Sequence, residues 1–423
     1  MRTRWCISLV VAAQALAACG QGAPTGGALA PRPGLSRRVD AGSVLVRWRP
    51  EAGTGRIRAS LAAGGFGVRR ELAALHAMSL TLPRGASLAA ATATLQRTGL
   101  VASVEPNAIW RLPARPPAAA LRALGLPRFG VRDADPALSW GQRRLGLPRT
   151  WATFPGAPGT VIAVIDTGVD LQHPDLRNVL VPGTSTFDES GPQDYEGHGT
   201  HVAGIVAGMG LGDPGVKGVA PGCRVMPVKV MGPRGREGKV ENVVAGLLWA
   251  VDHGAKVVNM SLGDEGSSPL LRDAVRYAQQ RDVLVVAASG NLDPERHATA
   301  NTMNYPAALP GVMAVGATDI QDQLADFSFW GTWLSITAPG VDIHSAVPAE
   351  GDERGAYLSE SGTSMAAPFV AGVAGLLRAK HPTWTAAQVR ERLEQTAKDL
   401  GAPGYDPKFG HGRVDAARAV LGP

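Results

Sequence analysis

Val161-Ile162-Ala163-Val164-Ile165-Asp166-Thr167-Gly168-Val169-Asp170 opens the longer part of the chain. Five consecutive apolar residues without polar alternation read as a strand buried on both faces, the habit of a parallel sheet covered by helices. Asp166 closes the run at the strand's C-terminal end, where open α/β sheets place their sites. Taken alone it is equally a turn or cap aspartate, or a metal ligand.

The same texture recurs downstream. Short apolar runs at 225–230, 256–260, 283–287, 312–315 and 335–338 read as strands. Segments 198–207, 240–251, 268–281, 368–380 and 386–397 read as helices, the second with Val243, Val244, Leu247, Leu248 and Val251 on one side. This alternation predicts an α/β domain with a mainly parallel sheet over residues 141–423.

Upstream, residues 44–48, 68–75, 78–82 and 101–104 read as strands and 56–63 and 86–97 as helices. The order β-α-β-β-α-β is that of a small ferredoxin-like α+β plait within 41–112. At that size a core alone is marginal, so the plait is expected to need a partner surface. Pro113, Pro116, Pro117, Pro127 and Pro136 make 113–140 a linker, and 19–40 is a Gly/Pro/Ala-rich flexible tether. Residues 1–18 combine a basic start, Arg2 and Arg4, with the apolar run Trp5 to Ala18. That pattern is an export signal, too short to remain as a membrane span. Leu16-Ala17-Ala18-Cys19 resembles the bacterial lipobox, whose cysteine is diacylated and becomes the new N-terminus. The competing reading is ordinary cleavage at Ala15-Leu16-Ala17, with Cys19 incidental.

The 423 residues are 45% apolar and 18% charged, which suits a large core and argues against global disorder. The net charge of +6 is a sum of opposite parts. Residues 1–140 carry 18 Lys+Arg against 6 Asp+Glu, net +12, and residues 141–423 carry 24 against 30, net −6. The basic excess has no aromatic interleaving and no nucleic-acid motif, so no nucleic-acid partner is expected. Segments of opposite sign attract one another instead. Cys6, Cys19 and Cys223 are too few for a disulfide framework, and Cys223 reads as a small buried filler.

Three more positions bear on chemistry. Ser361-Gly362-Thr363-Ser364-Met365-Ala366-Ala367-Pro368 leads into Phe369-Val370-Ala371-Gly372-Val373, small and apolar enough for a buried helix. Ser364 then lies at a helix N-terminus, facing free N–H groups and the positive end of the dipole. Both favour a nucleophile whose attack creates an oxyanion; from this stretch alone, a simple helix cap is the equal alternative. Pro368 is expected in the first turn, where a missing N–H costs nothing. His198, in Gly197-His198-Gly199-Thr200-His201, is unobstructed at a helix start, whereas His201 begins the buried run and reads as structural. The i, i+3 histidines lack the Glu or the cysteines of a zinc site. Asn291 ends Ala288-Ser289-Gly290-Asn291; its amide can donate to a developing oxyanion, although alone a turn Asn is the simpler reading. Asp166, His198 and Ser364 follow one of the chain orders known for catalytic triads.

Six segments together resemble the subtilisin family (subtilases) of serine endopeptidases, in texture its thermitase-like branch. They are Val-Ile-Asp-Thr-Gly-Val-Asp at 164–170, His-Gly-Thr-His-Val-Ala-Gly at 198–204, Gly-Val-Ala-Pro at 218–221, Asn-Met-Ser-Leu-Gly at 259–263, Ala-Ser-Gly-Asn at 288–291 and Gly-Thr-Ser-Met-Ala-Ala-Pro at 362–368. The resemblance covers 135–420 and implies a subtilisin-like three-layer domain. It implies Asp166, His198 and Ser364 as triad and Asn291 as oxyanion donor, hydrolysing peptide bonds through an acyl-enzyme with no cofactor for the chemistry. Ser261, Leu262 and Gly263 would pair with extended substrate, and Ala288, Ser289 and Gly290 would wall the P1 pocket. Leu292, where some relatives carry an acid, suits large apolar P1 side chains. A structural calcium is implied, with Asp175 and Asp135 as candidate ligands; the 208–217 loop departs from the family pattern and offers only Asp213. The plait resembles, more loosely, the family's propeptide, a folding chaperone and intramolecular inhibitor. The protein would then be a monomeric zymogen cut in the linker, beyond Pro113, where proline makes cleavage poor. Lipid on Cys19 would tie the N-terminal part to a membrane, with the mature enzyme extracytoplasmic and either anchored or released. The alternatives are a lipid-anchored pseudoprotease acting as a binding scaffold, and a dedicated maturation protease in place of a broad-specificity enzyme.

Overall fold

The computed structural model describes residues 38–112, 139–212, 214–232, 237–292, 301–348 and 356–422. Cys6, Cys19, Asp135, Asp213 and the five linker prolines lie outside them.

The plait comprises β1 (Val39–Trp48), α1 (Thr54–Ala63), β2 (Gly67–Leu72), β3 (Ala77–Thr81), α2 (Leu88–Arg97) and β4 (Val101–Arg111). Its strands lie in the order β2-β3-β1-β4, every neighbour antiparallel. That is the expected plait with shifted bounds: β1 starts at Val39 instead of 44, and the strand expected over 68–75 ends at Leu72, where Ala73–Leu75 turn as a 3-10 helix. β4 continues past the expected end at 104 to Arg111.

The larger part contains α3 (Trp140–Arg144), α4 (Leu147–Thr153), β5 (Val161–Asp166), β6 (Thr184–Ser185), α5 (His198–Ala207), β7 (Arg224–Lys229), β8 (Glu237–Lys239) and α6 (Val240–Asp252). It continues with β9 (Val257–Met260), α7 (Pro269–Gln280), β10 (Leu284–Ala288), β11 (Met313–Thr318), β12 (Ile336–Pro339), β13 (Ile343–Val347), β14 (Ala356–Glu360), α8 (Thr363–Lys380), α9 (Ala386–Thr396) and α10 (Ala416–Leu421). Seven of the strands form one parallel sheet in the order β12-β11-β10-β9-β5-β7-β6.

The apolar run at 161–165 is an interior strand of the sheet, between β9 and β7, in a three-layer arrangement. Ile162 and Val164 enter one core with Val202, Ile205, Phe369 and Val370 of α5 and α8. Ala163 and Ile165, pointing the other way, enter a second core with Val243, Leu247, Leu271 and Val275 of α6 and α7. Each fully buried Ile or Val of this kind contributes about 1.5–3 kcal/mol, which is why such a strand carries no polar alternation. The order β10-β9-β5 sets three C-terminal strand ends side by side. They lead into Ser289-Gly290-Asn291, Ser261 and Asp166 respectively.

Helix α8 starts five residues earlier than its apolar pattern predicts. It takes in Ser364 as its second residue and carries Pro368 inside. The first-turn placement of Pro368 is therefore corrected. A proline in the body of a helix leaves the carbonyl four residues back without its N–H partner. Here that carbonyl is Ser364 O, and the Ser261 hydroxyl donates to it at 2.7 Å. The side chain of another segment thus completes the helix that holds Ser364.

The plait does find a partner surface. Val44 and Val46 face its own helices, packing with Ile57, Leu61 and Leu95. Leu45, Ala77 and Trp110, on the opposite face, join the core of α6 and α7. Beyond Ala108, Ile109–Arg111 pair antiparallel with Lys239–Glu237, so β8 becomes the fifth strand of the plait's sheet. Two plait side chains also cap helices of the larger part. Glu105 Oε1 accepts from Leu270 N of α7 at 2.8 Å, and Asn107 Oδ1 accepts from Glu241 N of α6 at 3.3 Å. Such caps typically contribute about 1 kcal/mol each. Arg47–Asp273 (2.8 Å), Arg111–Glu237 (2.7 Å) and Arg69–Glu241 (3.3 Å) set plait bases against acids of the larger part, as the charge split anticipates.

Candidate active site

Asp166, the last residue of β5, is fully buried. Its Oδ1 accepts from its neighbour Thr167 N at 2.8 Å and lies 2.8 Å from His198 Nδ1. His198 is the first residue of α5. The approach of helix to strand depends on Gly199, whose N donates to Thr167 Oγ1 at 2.9 Å. A Cβ on Gly199 would overlap Gly168 O and crowd Asp166 Cβ. With Asp166 ionised, Nδ1 is the donor, so the imidazole lone pair sits on Nε2.

Asp194 fixes the turn before His198. Its Oδ1 accepts from Glu196 N (2.8 Å) and Gly197 N (3.0 Å), and its Oδ2 accepts from Thr200 N (3.0 Å) and Thr200 Oγ1 (2.7 Å). Glu196 Oε2 accepts from His198 N at 2.9 Å, closing the first turn of α5.

Ser364 is nearly fully buried in the first turn of α8. Its hydroxyl donates to Ser261 O at 3.1 Å, reciprocating the bond from Ser261 Oγ to Ser364 O. Asn291 comes against the same turn. Its Oδ1 accepts from Thr363 N (3.0 Å) and Thr363 Oγ1 (2.9 Å), while Thr363 Oγ1 accepts from Gly290 N at 3.1 Å. With Oδ1 held by two donors, the amide is oriented and Nδ2 points its hydrogens elsewhere. Nδ2 lies 3.1 Å from where a Cβ on Gly362 would be.

The six expected substrate-contact residues divide by what their side chains do. Ser261 turns inward to Ser364, and Leu262 is fully buried in the α6–α7 core, so neither side chain is presented to a ligand. Ser289 Oγ donates to Phe329 O at 3.0 Å. Gly290, at φ 110°, lies where a Cβ would strike the Phe329 ring, and Gly263 lies where one would strike Asn304. Ala288 ends β10, fully buried. Residues 261–263 lie outside any strand, and the edge that does carry a strand partner is β8. Three residues containing a glycine gave no periodic signal there. Thr363 and Asp194 were also missed, because a Thr and an Asp in loops are the commonest local hydrogen-bonding residues. Thr363 stands beside Ser364 in the motif itself, and that position could have flagged it.

Asp175 fits a cation poorly. It is fully buried. Its Oδ1 accepts from Leu211 N and from Gly212 N (2.8 Å), and its Oδ2 accepts from Val216 N (2.7 Å) and the Tyr357 hydroxyl (3.0 Å). Four donors aim their hydrogens where a calcium would need bare oxygen. No group of three or more His, Cys, Asp or Glu placed to hold a metal occurs among the described residues. Cys223 is buried and free, its thiol pushed up to about 11 by burial, as an inert filler should be. No helix among the described residues is long and apolar enough to cross a membrane.

Comparison with known proteins agrees with this geometry. Residues 157–412 match the model of the Subtilase family. The chain is 41% identical over 286 residues to subtilisin BL of Lederbergia lenta, covering 67% of this chain and 99% of that one. An alkaline protease of Alkalihalobacillus alcalophilus is also 41% identical, with 67% of this chain and 70% of that protein covered. Among solved structures, fervidolysin of Fervidobacterium pennivorans, described as a keratinolytic enzyme related to subtilisin, superposes with a TM-score of 0.77 at 30% identity. That match covers 91% of this chain, which spans 61% of fervidolysin's length. The family match and the subtilisin relatives define a serine-protease class of protein. The chain belongs to the subtilase family.

The histidines around the site set its acid limit. Burial lowers the pKa of His201 from 6.5 to about 4, and burial likewise lowers those of His173 and His344. Groups whose folded pKa is depressed stabilise the fold fully above the unfolded value, and that stability is lost as pH falls through the folded values. The window therefore runs from about pH 6.5 down to about pH 4. His201 alone is worth on the order of 3 kcal/mol across it. Calorimetric midpoints of a Ser364→Ala variant should be flat above this window and fall steeply within it. A midpoint constant throughout would contradict the neutral, buried state of these rings.

Proposed function

We propose that Ser364, His198 and Asp166 are nucleophile, general base and orienting acid of a subtilisin-type serine endopeptidase. The 2.8 Å contact between Asp166 Oδ1 and His198 Nδ1, at the end of the sheet where Ser364 begins α8, carries the reading. A serine hydroxyl is a poor nucleophile at neutral pH and needs an adjacent base. Rotation about one bond takes Ser364 Oγ from Ser261 O towards the imidazole. Nε2 accepts the proton as Oγ attacks the peptide carbonyl, and the imidazolium then gives it to the leaving amine. Asp166 stabilises the imidazolium without becoming protonated. Water repeats the sequence on the acyl-enzyme. Nothing in these steps calls for a cofactor.

The oxyanion would rest between Ser364 N, free in the first turn of α8, and Asn291 Nδ2. Thr363 keeps that amide aimed. Losing one side-chain donor of this kind costs roughly 10²–10³ in turnover, a figure measured in subtilisin itself. A fluorophosphonate should label wild type at Ser364. Ser364→Ala should lose both label and hydrolysis, and Asn291→Ala should keep the label with turnover depressed by roughly that factor. An unlabelled wild type would instead indicate a binding scaffold on a protease fold.

Gly263 and Gly290, with Ala288 and Ser289, leave backbone walls around the P1 position, and Leu292 brings no charge. Peptides varied at P1 should therefore give the highest kcat/KM with large apolar residues. Lys or Arg as best P1 would refute this.

The plait is read as an intramolecular inhibitor. Its last strand lies along β8 as a bound substrate would, with fully buried Trp110 opposite Gly238 in the middle of the pairing. Cleavage within 113–138 would release it, and a lipid on Cys19 would hold the cut-off part, or the uncut protein, on the outer side of a membrane. The mature enzyme is taken to be monomeric and extracytoplasmic. Mass spectrometry of N-termini from membrane and medium fractions should find a diacylated Cys19 in the first and a new terminus within the linker in the second. Unmodified chains starting elsewhere in both fractions would discard this scheme.

A further inference from the structure

Strand β14 ends three residues before α8 begins, so its position sets the turn that carries Ser364. Three successive residues of β14 are gripped from beneath. His173 Nε2 contacts Ala356 O at 3.2 Å, the Tyr357 hydroxyl donates to Asp175 Oδ2 at 3.0 Å, and His201 Nε2 contacts Leu358 O at 3.0 Å. His173 Nδ1 accepts from Asp175 N at 3.2 Å, so its Nε2 is the N–H that donates to Ala356 O. The neighbouring strand is tied to the same helix. Ser345 Oγ of β13 donates to His201 O at 2.7 Å. The Tyr357 ring is flanked by His173, edge-on with centroids 5.3 Å apart, and by His344, stacked at 5.6 Å.

Asp175 joins this grip to a separate part of the chain. Beyond the tyrosine hydroxyl, its carboxylate accepts from the backbone of Leu211, Gly212 and Val216, and its own carbonyl accepts from Met209 N at 3.0 Å. Hydrogen bonds to a buried carboxylate are charge-assisted, and removing any one donor leaves charge uncompensated in a dry site. Downstream, Ser361 Oγ accepts from Asp342 N (2.8 Å), and Gly362 N donates to Gly340 O (2.8 Å). A displacement of β14 would therefore be passed to Thr363, which holds Asn291.

We propose that Asp175 and Tyr357 form a metal-free clamp that fixes β14, making Tyr357 a positioning residue for Ser364. The clamp occupies an aspartate at which a calcium is implied by the family pattern, and fills it with donors instead of a cation. The proposal rests on Ser364 being the nucleophile.

The test uses processed enzyme. Tyr357→Phe removes one hydroxyl and no packing volume of consequence. It should lower kcat and the fluorophosphonate acylation rate about tenfold with KM within about twofold, because the clamp acts on the reacting turn and not on substrate contacts. His201→Gln, which keeps a donor for Leu358 O, should retain most of the rate lost in His201→Ala. Chelator or added calcium should leave the wild-type melting midpoint where it is as far as Asp175 is concerned. Wild-type acylation in Tyr357→Phe would overturn the proposal. So would a calcium-dependent rise in midpoint that disappears in Asp175→Asn. Failure of the underlying reading looks different, since wild type itself would then take no label.

Discussion

A hydrogen bond of 2.8 Å between Asp166 and His198 ties β5, an interior strand of the sheet, to the first residue of α5. Much of the neighbourhood exists to make that distance possible. Gly199 removes the Cβ that would hold helix and strand apart, Thr167 accepts its N–H, and Asp194 satisfies four donors of the turn. An ionised carboxylate with 0% exposure would be costly alone. The imidazole N–H and the Thr167 N–H offset that cost, and in return the histidine is held in one tautomer. The site's order thus follows from the two donors gathered on Asp166 Oδ1.

How much of this could be read from residues varies with length and period. β5, α5 and α6 were legible almost to their ends, because long apolar or 3.6-period runs leave few alternatives. The start of α8 was not, since Pro368 argued for a first turn and only tertiary structure supplies the Ser261 hydroxyl that excuses it. β8 and the hairpin of β13 and β14 escaped notice. Glu237-Gly238-Lys239 owes its strand form to Ile109–Arg111, far off in sequence, and Ala356-Tyr357-Leu358-Ser359-Glu360 to the neighbouring strand β13, neither having an apolar period of its own. Asp166, His198, Asn291 and Ser364 were singled out by their chain order and the six family-like segments together, since taken alone Asp166, Asn291 and Ser364 read equally as turn or cap residues. The orienting roles of Thr363 and Asp194 belong to three-dimensional contacts that no spacing encodes.

The plait illustrates a different kind of economy. Its sheet has helices on one face only, and the other face is finished by α6 and α7 of the larger part. It also caps both of those helices through Asn107 and Glu105. Each part supplies what the other lacks: the plait gains a second layer, and the helices gain acceptors for first-turn N–H groups.

The carbonyl left over by Pro368 has a consequence for how this site can change. In most helices position 364 would be served by the N–H of residue 368, and residue 261 would be at liberty. Here the two are exchangeable partners for one acceptor. A chain that replaced Pro368 by an ordinary residue would give that carbonyl a helical donor, leaving the Ser261 hydroxyl its bond from Asn259 Nδ2 at 3.0 Å. A chain that first lost the hydroxyl would strand the carbonyl in the core beside the nucleophile. The order of change at these two places, 107 positions apart, therefore matters: losing the proline first costs the core less than losing the hydroxyl first, which strands both the Ser364 carbonyl and the Asn259 amide.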